Sequence, residues 1–142
     1  RRPPRATQSG SSAASDVYKR QLVNLGNTYF GQGDYDTAVD YYRRAIAVRP
    51  KDASIHHNLG AAYSNKNDYA QAADAYRQAV TIDPNFGDAH YGLACSLYML
   101  EQYDLAWSHV NTARRLGLRR GVLRTGPVLS TKRSGRRRGP GV

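Results

Sequence analysis

The chain has 142 residues, 40% of them hydrophobic and 23% charged, with a single cysteine and a net charge of +10. That length and polarity suit one modest domain with polar flanks and exclude two independent cores. No apolar run approaches the roughly 20 residues needed to cross a bilayer, and Cys95 cannot by itself build a disulfide framework.

The charge is unevenly placed. Residues 1–21 carry five basic side chains against Asp16, a net +4, and residues 119–142 carry seven arginines and Lys132 with no acid, a net +8. Residues 22–118 carry eight basic and ten acidic side chains, a net −2. The basic character that would suggest nucleic acid as a partner therefore lies at the two ends.

At the N-terminus, Ser11–Gln21, SSAASDVYKRQ, back-translates without forcing into a sequence that resembles a transposase-type sequencing-library adapter. Arg1–Arg5 resembles the flow-cell end of the same adapter, in the same frame. Residues 1–21 are expected to be adapter-derived, with the native start lying upstream of Leu22 and not represented. The other reading is a natural Arg/Pro and Ser/Ala arm.

From Leu22 onward the chain repeats itself at a shift of 34 residues. A leading helix is predicted at LVNLGNTY from Leu22, at HHNLGAAY from His56 and at HYGLACSL from His90. A second helix is predicted at AVDYYRRA from Ala38, AADAYRQA from Ala72 and AWSHVNTA from Ala106. Turns fall at residues 31–34, 65–68 and 100–102, and Pro50 and Pro84 close the first two units, because a proline has no amide hydrogen to continue a helix. Gly26, Gly60, Ala94, Ala38, Ala72 and Ala106 are small where two helices must approach, Leu25, Leu59 and Leu93 fill the space between them, and Tyr29 and Tyr63 pack across. Tyr42 and Tyr76 supply apolar rings whose hydroxyl tips reach toward solvent.

This pattern resembles the tetratricopeptide repeat family, W-x2-L-G-x2-Y, then A-x3-F, then P, over about two-thirds of the chain. The tryptophan slot holds Leu22, His56 and His90, and the third unit is degenerate, with Ala94 for glycine, Leu97 for tyrosine and Leu118 for proline. The resemblance implies an all-α fold: a right-handed α-solenoid of three antiparallel helical hairpins, approximately residues 19–52, 53–86 and 87–118, between disordered termini. It also implies a protein-interaction scaffold whose concave face, lined by the first helix of each unit, holds an extended peptide segment.

Carried onto this sequence, that face is lined by Val23, Asn24, Asn27 and Phe30 in the first unit. The second contributes His57, Asn58, Ala61 and Asn65, and the third Tyr91, Gly92, Cys95 and Tyr98. Asn24 and Asn58 occupy the same place in successive units and form a short ladder that stops at Gly92; an amide can both donate to and accept from a peptide backbone. The alternative is that these asparagines only solvate the helix surface. The family's other binding mode, a cationic clamp for acidic chaperone tails, is not expected. Asn27 and Asn58 would suit it, but Val23, Asp88 and Gly92 stand where it needs cations.

No residue set points to catalysis, and the chain is not expected to be an enzyme. His56 and His57 are adjacent, so on a helix they diverge by about 100° and cannot share a metal. His56 and His90 are expected to be packing residues, and Cys95 has no catalytic base at a recognisable spacing. No cofactor and no metal are expected. The expected partner of the repeat domain is a protein or peptide segment and not nucleic acid, no membrane or small molecule is expected, and the cytoplasm is the default compartment.

After Leu118 the periodicity ends, and the Arg- and Gly-rich tail is expected to be disordered. It reads either as a technical, out-of-frame segment or as a basic arm contacting phosphates, which would make the chain a nucleic-acid-binding adaptor. A third possibility is a regulatory appendage of an enzyme lying outside this sequence. The apolar face of the last helix, with Leu105, Trp107, Val110 and Leu116, is one that a further repeat or capping helix normally covers, so a fragment of a longer array is expected.

Overall fold

The computed structural model describes residues 3–117, with side chains from residue 13 onward. Expectations for Leu118 and for residues 119–142 lie outside the described residues.

Six helices follow one another: α1 (Pro3–Gly31), α2 (Tyr35–Val48), α3 (Ala53–Asn65), α4 (Tyr69–Ile82), α5 (Gly87–Met99) and α6 (Tyr103–Arg115). They pair as three hairpins, α1 with α2, α3 with α4 and α5 with α6. Each second helix also packs on the next first helix, α2 on α3 and α4 on α5, and α3 touches α5 directly. The result is an all-helical repeat solenoid.

One expectation changes at the N-terminus. Helix α1 begins at Pro3, so it runs through the segment expected to be disordered. Two ion pairs tie its middle to the α2–α3 connection, Lys19 with Asp52 at 3.0 Å and Asp16 with Arg49.

The turns show how local chemistry repeats. Each hairpin turn places one residue in the left-handed region, at Gly33 (φ 82°), Asn67 (φ 64°) and Glu101 (φ 65°). Glycine and asparagine adopt that conformation readily, whereas a glutamate there costs about 1–2 kcal/mol. The next residue starts the second helix. Asp34 and Asp68 accept a hydrogen bond from the amide N–H of Thr37 and of Gln71 with their carboxylates, at 3.2 and 3.3 Å. Gln102, in the same place, makes no such cap. The third hairpin is thus weaker at both turn positions.

The core runs continuously from Leu22 to Val110 and contains Ala38, Ala72 and Ala106 with no exposed surface. Leu59 and Leu93 are buried at 9% and 1% exposure, but Leu25 is 42% exposed. α2 covers the helix that carries Leu59, and α4 the helix that carries Leu93, whereas no described helix lies on that side of α1. At the other end Val110 is buried and Trp107 half-buried, leaving Leu105 and Leu116 exposed on α6.

Tyr42 and Tyr76 differ from expectation at their tips. Both are buried, at 2% and 5% exposure, so neither hydroxyl reaches solvent. The Tyr42 hydroxyl donates to Asn27 Oδ1 at 2.5 Å, and that of Tyr76 is hydrogen-bonded with Ser64. Burial, opposed by the Ser64 bond, pushes the Tyr76 phenol up to about 12. A ring of this size buried in full contributes roughly 2–3 kcal/mol of transfer free energy. The space for it comes from glycine: a Cβ on Gly26 would lie 2.6 Å from the Tyr42 ring, and one on Gly60 would lie 2.9 Å from that of Tyr76.

Candidate functional site

Among the residues expected on the inner surface, His57 on α3 makes two aromatic contacts. The imidazole is half-buried between the rings of Tyr76 and Phe86, with centroids at 5.5 and 5.0 Å. Burial lowers its pKa, opposed by a hydrogen bond with Asn58 and by the charge of Asp88, so the ring is held toward its neutral form. Phe86, which sequence reasoning missed, joins this cluster to a cleft of about 960 Å³ between the α2–α3 and α4–α5 connections, lined also by Val48, Pro50, Ala53 and Ile82.

The residues expected on this surface divide into three kinds. Asn24 and Asn27 are exposed on α1, and the Asn27 carbonyl is taken by Tyr42, which leaves its amide N–H2 as a donor. Asn58 and Ala61 are half-buried, and Asn65 turns back on its own helix, its Nδ2 donating to the Ala61 carbonyl at 2.8 Å. Aromatic groups form the third kind, beside Val23, Gly92 and Cys95: Phe30 lies edge-on to Tyr35 (5.2 Å) and Tyr98 edge-on to Tyr103 (5.0 Å). Tyr91 is hydrogen-bonded with Cys95, whose thiol pKa is raised by burial.

At the end of the asparagine ladder the Tyr76 ring lies against the backbone of Gly92. A Cβ on Gly92 would come within 2.5 Å of the Tyr76 ring, which crosses both Gly60 and Gly92. No side chain fits where the third asparagine would stand.

The histidines of the tryptophan slot are packing residues with a specific bond. His56 Nε2 lies 2.9 Å from the Pro50 carbonyl oxygen, and His90 Nε2 lies 2.9 Å from that of Pro84. A carbonyl only accepts, so in each ring Nε2 carries the proton and ties a first helix to the proline closing the preceding unit. A spacing of six residues between proline and histidine, present twice, was the signal available in the sequence. Among the described residues no group of three or more His, Cys, Asp or Glu side chains is placed to hold a metal ion, and no helix is long and apolar enough to cross a membrane.

These features agree with sequence comparison. Three tetratricopeptide-family profiles match the chain: a TPR repeat over residues 26–67, and tetratricopeptide repeats over residues 53–86 and 88–107. The chain belongs to the tetratricopeptide repeat family, with three tandem repeats. Among curated proteins none matches the sequence.

Among solved structures, the Sgt2 TPR domain from Aspergillus fumigatus is similar with a TM-score of 0.79 and 22% identity, over 85% of this chain and 82% of that one. The first TPR of Spaghetti (RPAP3), bound to the HSP90 peptide SRMEEVD, gives 0.77 and 21% over 83% and 94%. The second TPR domain of human RPAP3, in complex with the HSP70 peptide SGPTIEEVD, gives 0.74 and 20% over 83% and 97%. At these identities the likeness is one of fold.

Proposed function

We propose that this protein is an interaction scaffold whose inner surface holds an extended segment of a partner protein. The observation that carries this reading is the His57 cluster: a half-buried ring between Tyr76 and Phe86, beside the amide of Asn58, opening into the Phe86 cleft. Such a surface offers apolar faces to side chains and amide groups to a main chain, which is what an extended segment presents. The peptide complexes of RPAP3 domains with the same fold support it.

The partner segment is not an acid-tailed one. Val23, Gly92 and Asp88 stand on the first helices where a clamp for a carboxylate-rich tail would need cations, Asp88 lies close enough for its charge to act on His57, and the cations Arg49 and Lys51 lie in the Phe86 cleft instead. Peptide-array binding by the chain tests both points. Asn24→Ala with Asn58→Ala is expected to weaken the best binders about 10- to 100-fold, as loss of two amide hydrogen bonds implies. Unchanged binding removes the asparagines from the site. The peptide SRMEEVD is expected not to compete, and tight binding of it would overturn the charge argument.

A further inference from the structure

Between successive second helices the histidines His56 and His90 repeat at a spacing of 34 residues, and their surroundings differ, most tellingly where Ala75 in one repeat answers to His109 in the next. In the space between α4 and α6 the floor is His90, whose Nε2–H donates to the Pro84 carbonyl, so that its Nδ1 presents a lone pair. That lone pair is met by Nδ1 of His109 at 3.1 Å, the rings stacked with centroids 5.3 Å apart and planes 27° apart. His109 is therefore the donor.

Thirty-four residues earlier the floor repeats and the donor does not. His56 is 9% exposed, its Nε2–H donates to the Pro50 carbonyl in the same way, and its Nδ1 has no partner among the described residues. Ala75 occupies the place of His109. In the space between α2 and α4 lies a groove of about 310 Å³ with His56, Leu59 and Tyr63 among its lining residues. An N–H brought into the groove would take the place that the His109 N–H has in the third repeat.

We propose that this groove is a binding site for an imidazole ring, the side chain of a histidine on a partner protein. The third repeat supplies the precedent, since the same floor there is filled by an imidazole that donates to the same nitrogen. Leu59 and Tyr63 offer apolar surface to the ring. Selection is by the N–H donor, not by charge. Arg43 and Asp74 both line the groove, so it carries charges of both signs, and Asp74 also pairs with Arg77 at 2.8 Å.

The test is a titration of the 15N-labelled full chain followed by NMR, with imidazole, N-acetylhistidine amide and 1-methylimidazole as probes. Imidazole and the histidine amide are expected to bind saturably, with a dissociation constant of about 1 mM as suits so small a ligand. They should move the His56 Nδ1 resonance and the Leu59 methyls. The titrations are run at about pH 9, where the free rings are neutral; there 1-methylimidazole has no N–H and is expected not to bind. Ala75→His should abolish binding by supplying the ring internally. If that variant does not fold, His109→Ala decides independently, since it should open a second site at His90. Absence of saturable binding overturns the proposal, as does equal binding of 1-methylimidazole or binding that survives in folded Ala75→His. Binding of imidazole but not of the histidine amide overturns the assignment to a partner's side chain.

Discussion

In the second repeat a tyrosine ring crosses a glycine, Tyr76 over Gly60; in the third the equivalent positions hold Val110 and Ala94. Both arrangements are buried and both hairpins close. The difference shows that the crossing conserves a sum of volumes, so that a larger residue on one helix is matched by a smaller one on the other. It also has a consequence for the inner surface. The longer ring of Tyr76 reaches past its own repeat to Gly92 and removes a side chain from the third helix of the groove.

The largest effect expected from disturbing that balance is at Gly92. Gly92→Ala places a methyl group 2.5 Å from the buried Tyr76 ring and should cost about 2 kcal/mol in urea unfolding. In a Tyr76→Val background, which copies the third repeat, the same change should cost close to nothing. Equal penalties in the two backgrounds would mean that the ring does not set the glycine.

A smaller and opposite effect is expected at the turns, where the second repeat has Asn67 and Asp68 and the third has Glu101 and Gln102. Glu101→Gly should stabilise the chain by about 1 kcal/mol by relieving the left-handed glutamate. Gln102→Asp should add roughly 0.5–1 kcal/mol by restoring the cap. Asn67→Gly, by contrast, should change the melting temperature little, because asparagine already tolerates that conformation.

The last comparison concerns pH. His57 in the second repeat and His109 in the third both have pKa values lowered chiefly by burial from the ordinary 6.5, His109 also by the neighbouring His90 and Arg77. In the unfolded chain these rings take up protons at a higher pH than in the fold, so falling pH favours unfolding. Stability should be level above about pH 7 and decline as pH drops through 6.5 toward the lowered values. Thermal melts of His57→Gln and His109→Gln should show a shallower decline than the parent. A parent curve that rises on acidification would contradict the burial of both rings.

Much of the fold was legible because it depends on short-range pattern. The 34-residue period, the small residues at the crossings and the prolines after each second helix are local signals, and a helix pair that repeats them must stack its apolar faces in series. The positions expected on the inner surface came from the family resemblance carried onto that phase. What phase could not show is the state of each side chain there. Asn65 folds back on its own helix, the Asn27 carbonyl is taken by Tyr42, and Phe86 enters from the loop before α5.

The sequence by itself therefore determined the number of hairpins and the apolar helix faces, since both depend on residue type at a fixed spacing. Only the tertiary structure decided which polar groups are already paired. The bonds from His56 and His90 to proline carbonyls and the meeting of His90 with His109 link residues on different elements. Hydrogen bonding depends on distances of a few tenths of an ångström, which helices acquire only once they are packed.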